Sequence, residues 1–154
     1  FDGERIYVGT GFGKAHLYAV NPGGKGNVTD SHVKWIEQKG IPSKPSQLLI
    51  DGLLYMVDDK GIATCLDAET GKEIWKERME RSSFSASPIY ADGKIYATDR
   101  EGVTRVFVPG KEYKELAANK LDEGCVASLA IAGKSIIMRT ENFLYRIEDK
   151  SLQK

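Results

Sequence analysis

The feature that most narrows what this chain can become is a repeat. Asp2-Gly3, Asp51-Gly52, Asp92-Gly93 and Ala132-Gly133 each precede a short apolar pair, Ile6-Tyr7, Leu54-Tyr55, Ile95-Tyr96 and Ile136-Ile137, so the units start at intervals of 49, 41 and 40 residues. A second apolar run follows each pair, at 16–20, 62–66, 103–108 and 143–147. Self-similarity with a period of roughly 20–50 residues marks a stacked array, in which one unit buries its apolar surface only against its neighbours.

Asp-Gly between two β-rich runs is a hairpin signal, because a type I′ turn needs positive φ at both central residues and glycine adopts it without steric cost. Each unit therefore reads as a meander of four strands, A to D. Unit two places them at 47–50, 53–57, 62–67 and 73–77, and unit three at 86–90, 94–98, 103–108 and 114–117. Gly61 and Gly102 stand at the B to C turn, and Asn142 takes that place in unit four, glycine and asparagine being the residues most tolerant of left-handed backbone. Unit one lacks strand A and unit four stops before an obvious strand D. With no convincing amphipathic helix, the expectation is an all-β chain of one segment, with units at about 1–42, 43–82, 83–122 and 123–154. Four-stranded antiparallel units of this length point to β-propeller blades, about three and a half of them visible.

Composition limits the function classes. Twenty-two basic side chains balance 22 acidic ones, which removes the basic footprint a nucleic-acid or anionic-membrane binder needs to neutralise phosphates. No apolar run approaches the ~20 residues that span a bilayer, so a soluble chain is expected. The chain opens on Phe1 in mid-pattern rather than on a leader, which leads us to expect a removed upstream segment, with the natural end near Lys154. Cys65 and Cys125 match no metal or redox spacing. They read as small buried core residues, with a single bridge between them left open.

The run Cys65-Leu66-Asp67-Ala68-Glu69-Thr70-Gly71-Lys72-Glu73-Ile74-Trp75 resembles the tryptophan-docking motif of the quinoprotein-like (PQQ-like repeat) β-propeller family, A-x-D-x-x-T-G-K-x-x-W, departing from it at Cys65. The resemblance assigns Asp67, Thr70, Gly71, Lys72 and Trp75 to blade docking. Ala19-Val20-Asn21 followed by Trp35 is a degraded copy with an insertion through Gly23-Gly24-Lys25-Gly26. Unit three has Tyr113 and Leu116 but no Trp, and unit four is similar to the last blade of bacterial BamB-like repeat proteins.

Several expectations follow from the resemblance. The chain would be the C-terminal half of a ring of about seven or eight blades, completed by the missing blades of the same protein or by a second copy. The protein would be bacterial, periplasmic or secreted, and a noncatalytic module that binds or scaffolds an unknown protein, peptide or glycan. Two other roles stay open: part of a PQQ-dependent dehydrogenase, and a sensor domain fused to a kinase.

Dehydrogenase chemistry would need a carboxylate base, a calcium ion held by oxygen ligands and a stacking Trp, and no such constellation is legible. Asp58-Asp59 lacks the spacing of a calcium loop and reads as a solvated turn. Trp35 and Trp75 read as packing, and His16 and His32 have no spaced partners. The serines of 82–87 contain no nucleophile elbow, and residues 9–14 are a glycine-rich loop without phosphate-loop spacing. No catalytic, cofactor-binding or metal residue is therefore expected, and PQQ and calcium would enter only if the missing half supplied their site. For binding, the candidate loci are residues 10–14, 43–46 and 82–87, which the meander places where propellers gather their loops.

Overall fold

The computed structural model describes residues 1–11, 13–79 and 81–149. They form four antiparallel sheets in chain order, a partial propeller. The first holds β1 (Ile6–Gly9), β2 (Leu17–Val20) and β3 (Val33–Glu37), with a single helical turn, α1 (Thr29–His32), between β2 and β3. The second holds β4 (Leu48–Ile50), β5 (Leu53–Val57), β6 (Ile62–Asp67) and β7 (Glu73–Arg78). The third holds β8 (Ile89–Ala91), β9 (Lys94–Thr98), β10 (Val103–Val108) and β11 (Lys114–Lys120), and the fourth β12 (Ala130–Ala132), β13 (Ser135–Arg139) and β14 (Leu144–Ile147). Among the described residues, the first sheet has no strand A and the fourth no strand D. The chain end expected at Lys154 lies outside the described residues, as does Phe12 within the 10–14 loop.

Asp51-Gly52 and Asp92-Gly93 turn with φ of 48° and 75°, and 48° and 68°, the double positive φ of a type I′ hairpin. Two expected strands differ by more than one residue. The third sheet's inner strand starts at Ile89, not at 86, because Pro88 has no N–H and the Ser87 N–H is held by the Ser128 hydroxyl at 2.9 Å. Its outer strand runs on to Lys120 rather than ending at 117, because Val103, Thr104 and Arg105 pair with Lys120, Asn119 and Ala118.

Register makes the sheets comparable. The C to D ladders shift once at equivalent places, between Ala19 and Val20, Cys65 and Leu66, and Val106 and Phe107. One outer-strand residue is thereby left over in each, Lys34, Ile74 and Leu116, and the residues beside them, Trp35, Trp75 and Ala117, become equivalent.

The core consists of the joints between sheets. Leu17, Ala19, Leu54, Met56 and Leu66 pack between sheets one and two. Tyr55, Cys65, Ile95, Ala97 and Phe107 pack between two and three, and Cys125, Leu129 and Met138 between three and four. Alternation explains the division: Leu54 and Met56 face back, while Tyr55 and Val57 face forward. A side chain such as Leu54, with no exposed surface, contributes about 1.5–3 kcal/mol through burial. The fold is thus held in proportion to its joints.

Candidate functional site

One rim of the array is built from B to C turns alternating with the segments that cross between blades. Each turn closes the same way, with Thr10, Asp58, Asp99 and Thr140 donating their N–H to the carbonyls of His16, Ile62, Val103 and Phe143 at 2.8–3.0 Å. The side chain of the same residue accepts in return. Asp58 Oδ1 takes the N–H groups of Lys60 and Ile62, Asp99 Oδ1 those of Glu101 and Val103, Thr10 Oγ1 that of His16, and Thr140 Oγ1 that of Phe143. Asp58 is thus a turn cap rather than a solvated carboxylate.

The crossing segments are bonded to these turns. Phe84 N–H donates to Asp59 O and Arg100 N–H to Ser83 O, which seats the 82–87 crossing between the turns of sheets two and three. Cys125 N–H reaches Arg100 O, and Glu141 N–H reaches Gly124 O, one blade further on. At the first crossing Asp59 accepts the Ser43 N–H at 2.6 Å and the Lys44 ammonium at 3.1 Å. Burial opposes ionisation of Asp59, but these two donors outweigh it and hold the carboxyl below its ordinary range.

Toward the inner strands the rim carries a ladder of serines. Ser46 N–H donates to Ser87 Oγ and Ser87 N–H to Ser128 Oγ, both at 2.9 Å. These serines recur at a spacing of 41 residues, the period of the repeat in the sequence. The structure therefore brings the loci 10–14, 43–46 and 82–87 to one rim. Between the first two lies a groove of about 330 Å³ lined by Gly11, Ile41, Ser43, Pro45 and Gln47. A second, of about 470 Å³, lies beside Asp59, Arg78, Ser82, Ser83 and Glu101.

The residues assigned to blade docking occupy two different joints. Asp67 Oδ1 accepts the Thr70 N–H at 2.8 Å and the Thr70 hydroxyl at 2.6 Å, and these bonds, the hydroxyl first, hold the Asp67 carboxyl below its ordinary range. Gly71 N–H returns to Asp67 O, and Asp67 N–H to Lys72 O, while the Lys72 side chain is exposed. Onto this turn comes Trp35 from the preceding blade: its indole N–H donates to Ala68 O at 3.1 Å, and its ring lies where a side chain at Gly71 would fall 2.7 Å away. Trp75 leaves for the following blade and donates to Gly110 O at 2.9 Å.

The strand B tyrosines share these joints. The Tyr7 hydroxyl lies 3.1 Å from Ala68 O, and the Tyr55 hydroxyl accepts the Gly110 N–H at 2.8 Å. Burial first pushes both phenols up to about 12. The Ile-Tyr and Leu-Tyr pairs mark the repeat in the sequence, but the partners their hydroxyls reach across the joint come from another unit and are not readable there, while Asp2 Oδ2, which also takes the Tyr7 hydroxyl at 2.6 Å, lies in its own unit.

The structure offers no fit to a quinone and calcium centre among the described residues. Among the described residues no group of three His, Cys, Asp or Glu side chains converges, Asp58 Oδ1 and both Asp59 oxygens accept from N–H donors, and both tryptophans are committed to joints. Cys65 and Cys125 are buried free thiols, which removes the bridge left open above. His16 caps the first B to C turn through its backbone, and His32 Nδ1 lies 2.7 Å from the Ser31 hydroxyl. No helix among the described residues is long and apolar enough to cross a membrane.

A sequence profile described as outer membrane protein assembly factor BamB matches residues 38–116, just over half of the chain. Among solved structures, BamB from Moraxella catarrhalis is similar at 12% identity and a TM-score of 0.63, over 90% of this chain and 41% of that one. A chain of a mitotic checkpoint complex is similar at 12% identity and a TM-score of 0.69, over 96% and 47%. A europium-containing methanol dehydrogenase is similar at 18% identity and a TM-score of 0.56, over 75% and 23%. The chain thus spans between about a quarter and a half of the length of these three, and at such identities the likeness shows the fold alone. No curated protein matches.

Proposed function

The chain belongs to the PQQ-like repeat β-propeller family whose profile is described as outer membrane protein assembly factor BamB, and from that premise we propose that it acts as a noncatalytic binding or scaffolding module. The observation that carries the reading is the crossing-loop rim. Three loops far apart in sequence meet there: 43–46 and 82–87 are anchored through backbone N–H groups to the turn at Asp59, and the first is closed on itself by Thr10 and His16. Loops fixed on a rigid frame and flanked by grooves can hold a protein, peptide or glycan without ordering cost. The family's association with the outer membrane supports a periplasmic or secreted bacterial protein. Further blades, from the same protein or a second copy, would complete the ring.

Alanine blocks at 10–14, 43–46 and 82–87, compared with the native protein in quantitative capture from a periplasmic extract, test the placement. Loss of the same captured species in each block supports it, and unchanged capture in all three refutes it. The likeness to a methanol dehydrogenase favours a second reading, in which this segment belongs to an oxidoreductase whose site lies elsewhere in a longer protein. Quinone- and calcium-dependent alcohol oxidation by that longer protein would establish it.

A further inference from the structure

Sheet one is finished on one side only. Its back face carries Ile6 and Val8 at the places of Leu54 and Met56, and of Ile95 and Ala97, since Tyr7 pairs with Ala19 as Tyr55 pairs with Cys65 and Tyr96 with Val106. Leu54, Met56, Ile95 and Ala97 are at most 1% exposed, whereas Ile6 is 41% and Val8 44% exposed. β1 is also the open edge of its sheet, and Ile6–Gly9 carries neither the charge nor the proline with which sheets guard such edges. Thr10 N–H crosses to His16 O, so by alternation the N–H and C=O of Tyr7 and Gly9 point to the open side. The edge already draws a donor, the Gln47 side-chain amide on Tyr7 O at 3.0 Å. The groove of about 330 Å³ is lined by Tyr7, Val8 and Gly9 from this edge and by Ile41, Pro45 and Ser46 from the first crossing.

The turn before β1 aims a strand along this edge. Asp2 N–H donates to Arg5 O at 3.2 Å, Asp2 Oδ1 accepts the N–H groups of Glu4 at 2.8 Å and Arg5 at 2.6 Å, and Asp2 Oδ2 takes the Tyr7 hydroxyl. Asp2 thereby stands opposite Arg5 across two residues. Ile50 stands opposite Leu53 in the same way, Ala91 opposite Lys94 and Ala132 opposite Ser135, in the A to B hairpins of the other sheets. Continued in that register, the residue before Phe1 falls opposite Tyr7, and the third residue before Phe1 takes the place that Ser46 holds in unit two. Among the described residues, Ser46 is also the rung of the serine ladder whose hydroxyl takes no N–H, those of Ser87 and Ser128 being filled by the rung before them.

We propose that the stretch of polypeptide immediately before Phe1 is the occupant of this edge: it pairs antiparallel with β1 as strand A of sheet one, and its third residue counted back from Phe1 donates its N–H to Ser46 Oγ. The blade that covers Ile6 and Val8 then belongs to the same polypeptide and enters through this strand. A second copy of the chain is the poorer cover. It would offer the forward face of sheet four, where Ile137 and Arg146 pair at the place of Tyr55 and Cys65. Arg146 there bonds Glu148 and the Ser135 hydroxyl, with its side chain 70% exposed. Pressing that ion pair onto Ile6 and Val8 would strip both charges of water without giving either a new partner. The inference rests on reading the chain as part of a longer binding propeller, but not on capture at the crossing-loop rim, so the two can fail separately.

Amide hydrogen exchange read by NMR tests this on the 154-residue chain and on the same chain carrying Pro-Ser-Gln-Leu before Phe1, the residues that hold the equivalent places at 45–48 in unit two. The Tyr7 and Gly9 amides should exchange at least tenfold more slowly in the extended chain, independently of protein concentration. Ser46→Ala in the extended chain should speed exchange at the added serine and leave Tyr7 and Gly9 slow. In the longer polypeptide, with its own residues before Phe1, segment 6–10 should be protected to the same degree by mass spectrometry. Unchanged exchange at Tyr7 and Gly9 in the extended chain, or an unprotected 6–10 segment in the longer polypeptide, would overturn the proposal. So would slow exchange of both amides in the unextended chain that strengthens with concentration, since a second copy would then be filling the edge.

Discussion

Gly71→Ala isolates the contact on which the first joint turns. Gly71 sits at φ 72°, and a Cβ there would lie 2.7 Å from Trp35 Cδ2 and 2.8 Å from Cε3. Left-handed backbone costs a non-glycine residue about 1–2 kcal/mol. Moving the indole aside would further forfeit its bond to Ala68 O, about 0.5–1.5 kcal/mol, with some packing against Tyr7. The expected loss is about 2–4 kcal/mol. Gly52→Ala supplies the control: φ is 75°, and nothing lies within 4 Å of its added Cβ, so only the backbone cost of about 1–2 kcal/mol applies. Urea unfolding followed by circular dichroism should place Gly71→Ala below Gly52→Ala by about 1–2 kcal/mol, the indole-side share of the cost. At about 2–4 °C per kcal/mol, the same gap should appear as a lower Tm. Two variants that lose the same stability would refute the claim that glycine is required there to seat Trp35.

Other consequences are measurable. Trp75→Phe removes the donor to Gly110 O and should cost about 1–3 kcal/mol of unfolding free energy through the lost bond and packing. Asp67 is held below its ordinary range by Thr70, so its contribution is present above the unfolded value of about 3.9 and is lost as pH falls through the lower folded value. Asp67→Asn should therefore unfold with a shallower dependence on pH between 5 and 3 than the native chain, and an identical slope would contradict the bond's role. Burial first pushes the Cys65 thiol up to about 11, so labelling by a disulfide reagent at pH 8 should track global unfolding, and fast labelling of the folded chain would count against the buried joint.

Strands B and C were readable because local chemistry determines them. The Asp-Gly turns need positive φ, Gly61 and Gly102 close the following turn, and the apolar runs between have strand length, so β5, β6, β9 and β10 start and stop as the residues suggest. The inner strand of the third sheet was misplaced because its start is decided by Ser128, 41 residues away. The B to C caps escaped notice because Thr10, Asp58, Asp99 and Thr140 share a role but not a residue type. The motif containing Asp67 and Trp75 was legible as one string, but its two ends serve different joints, and only the register shift at Cys65 and Leu66 equates Trp75 with Ala117. That unit three lacks a tryptophan was legible, but the position it vacates, Ala117, follows only from the pairing with Val106. The partner is unread for a similar reason, since a rim of loops specifies it by shape and not by a spaced constellation.

The binding rim is tested most directly by placing a photo-crosslinking amino acid at Ser43 and at Ser83, both on the crossing-loop rim, and at Asp51 on the opposite turn, in otherwise native protein in its own cells. If the rim is the binding surface, one and the same partner should be trapped from Ser43 and Ser83 and not from Asp51. Trapping from Asp51 alone, or equally from all three, would contradict it.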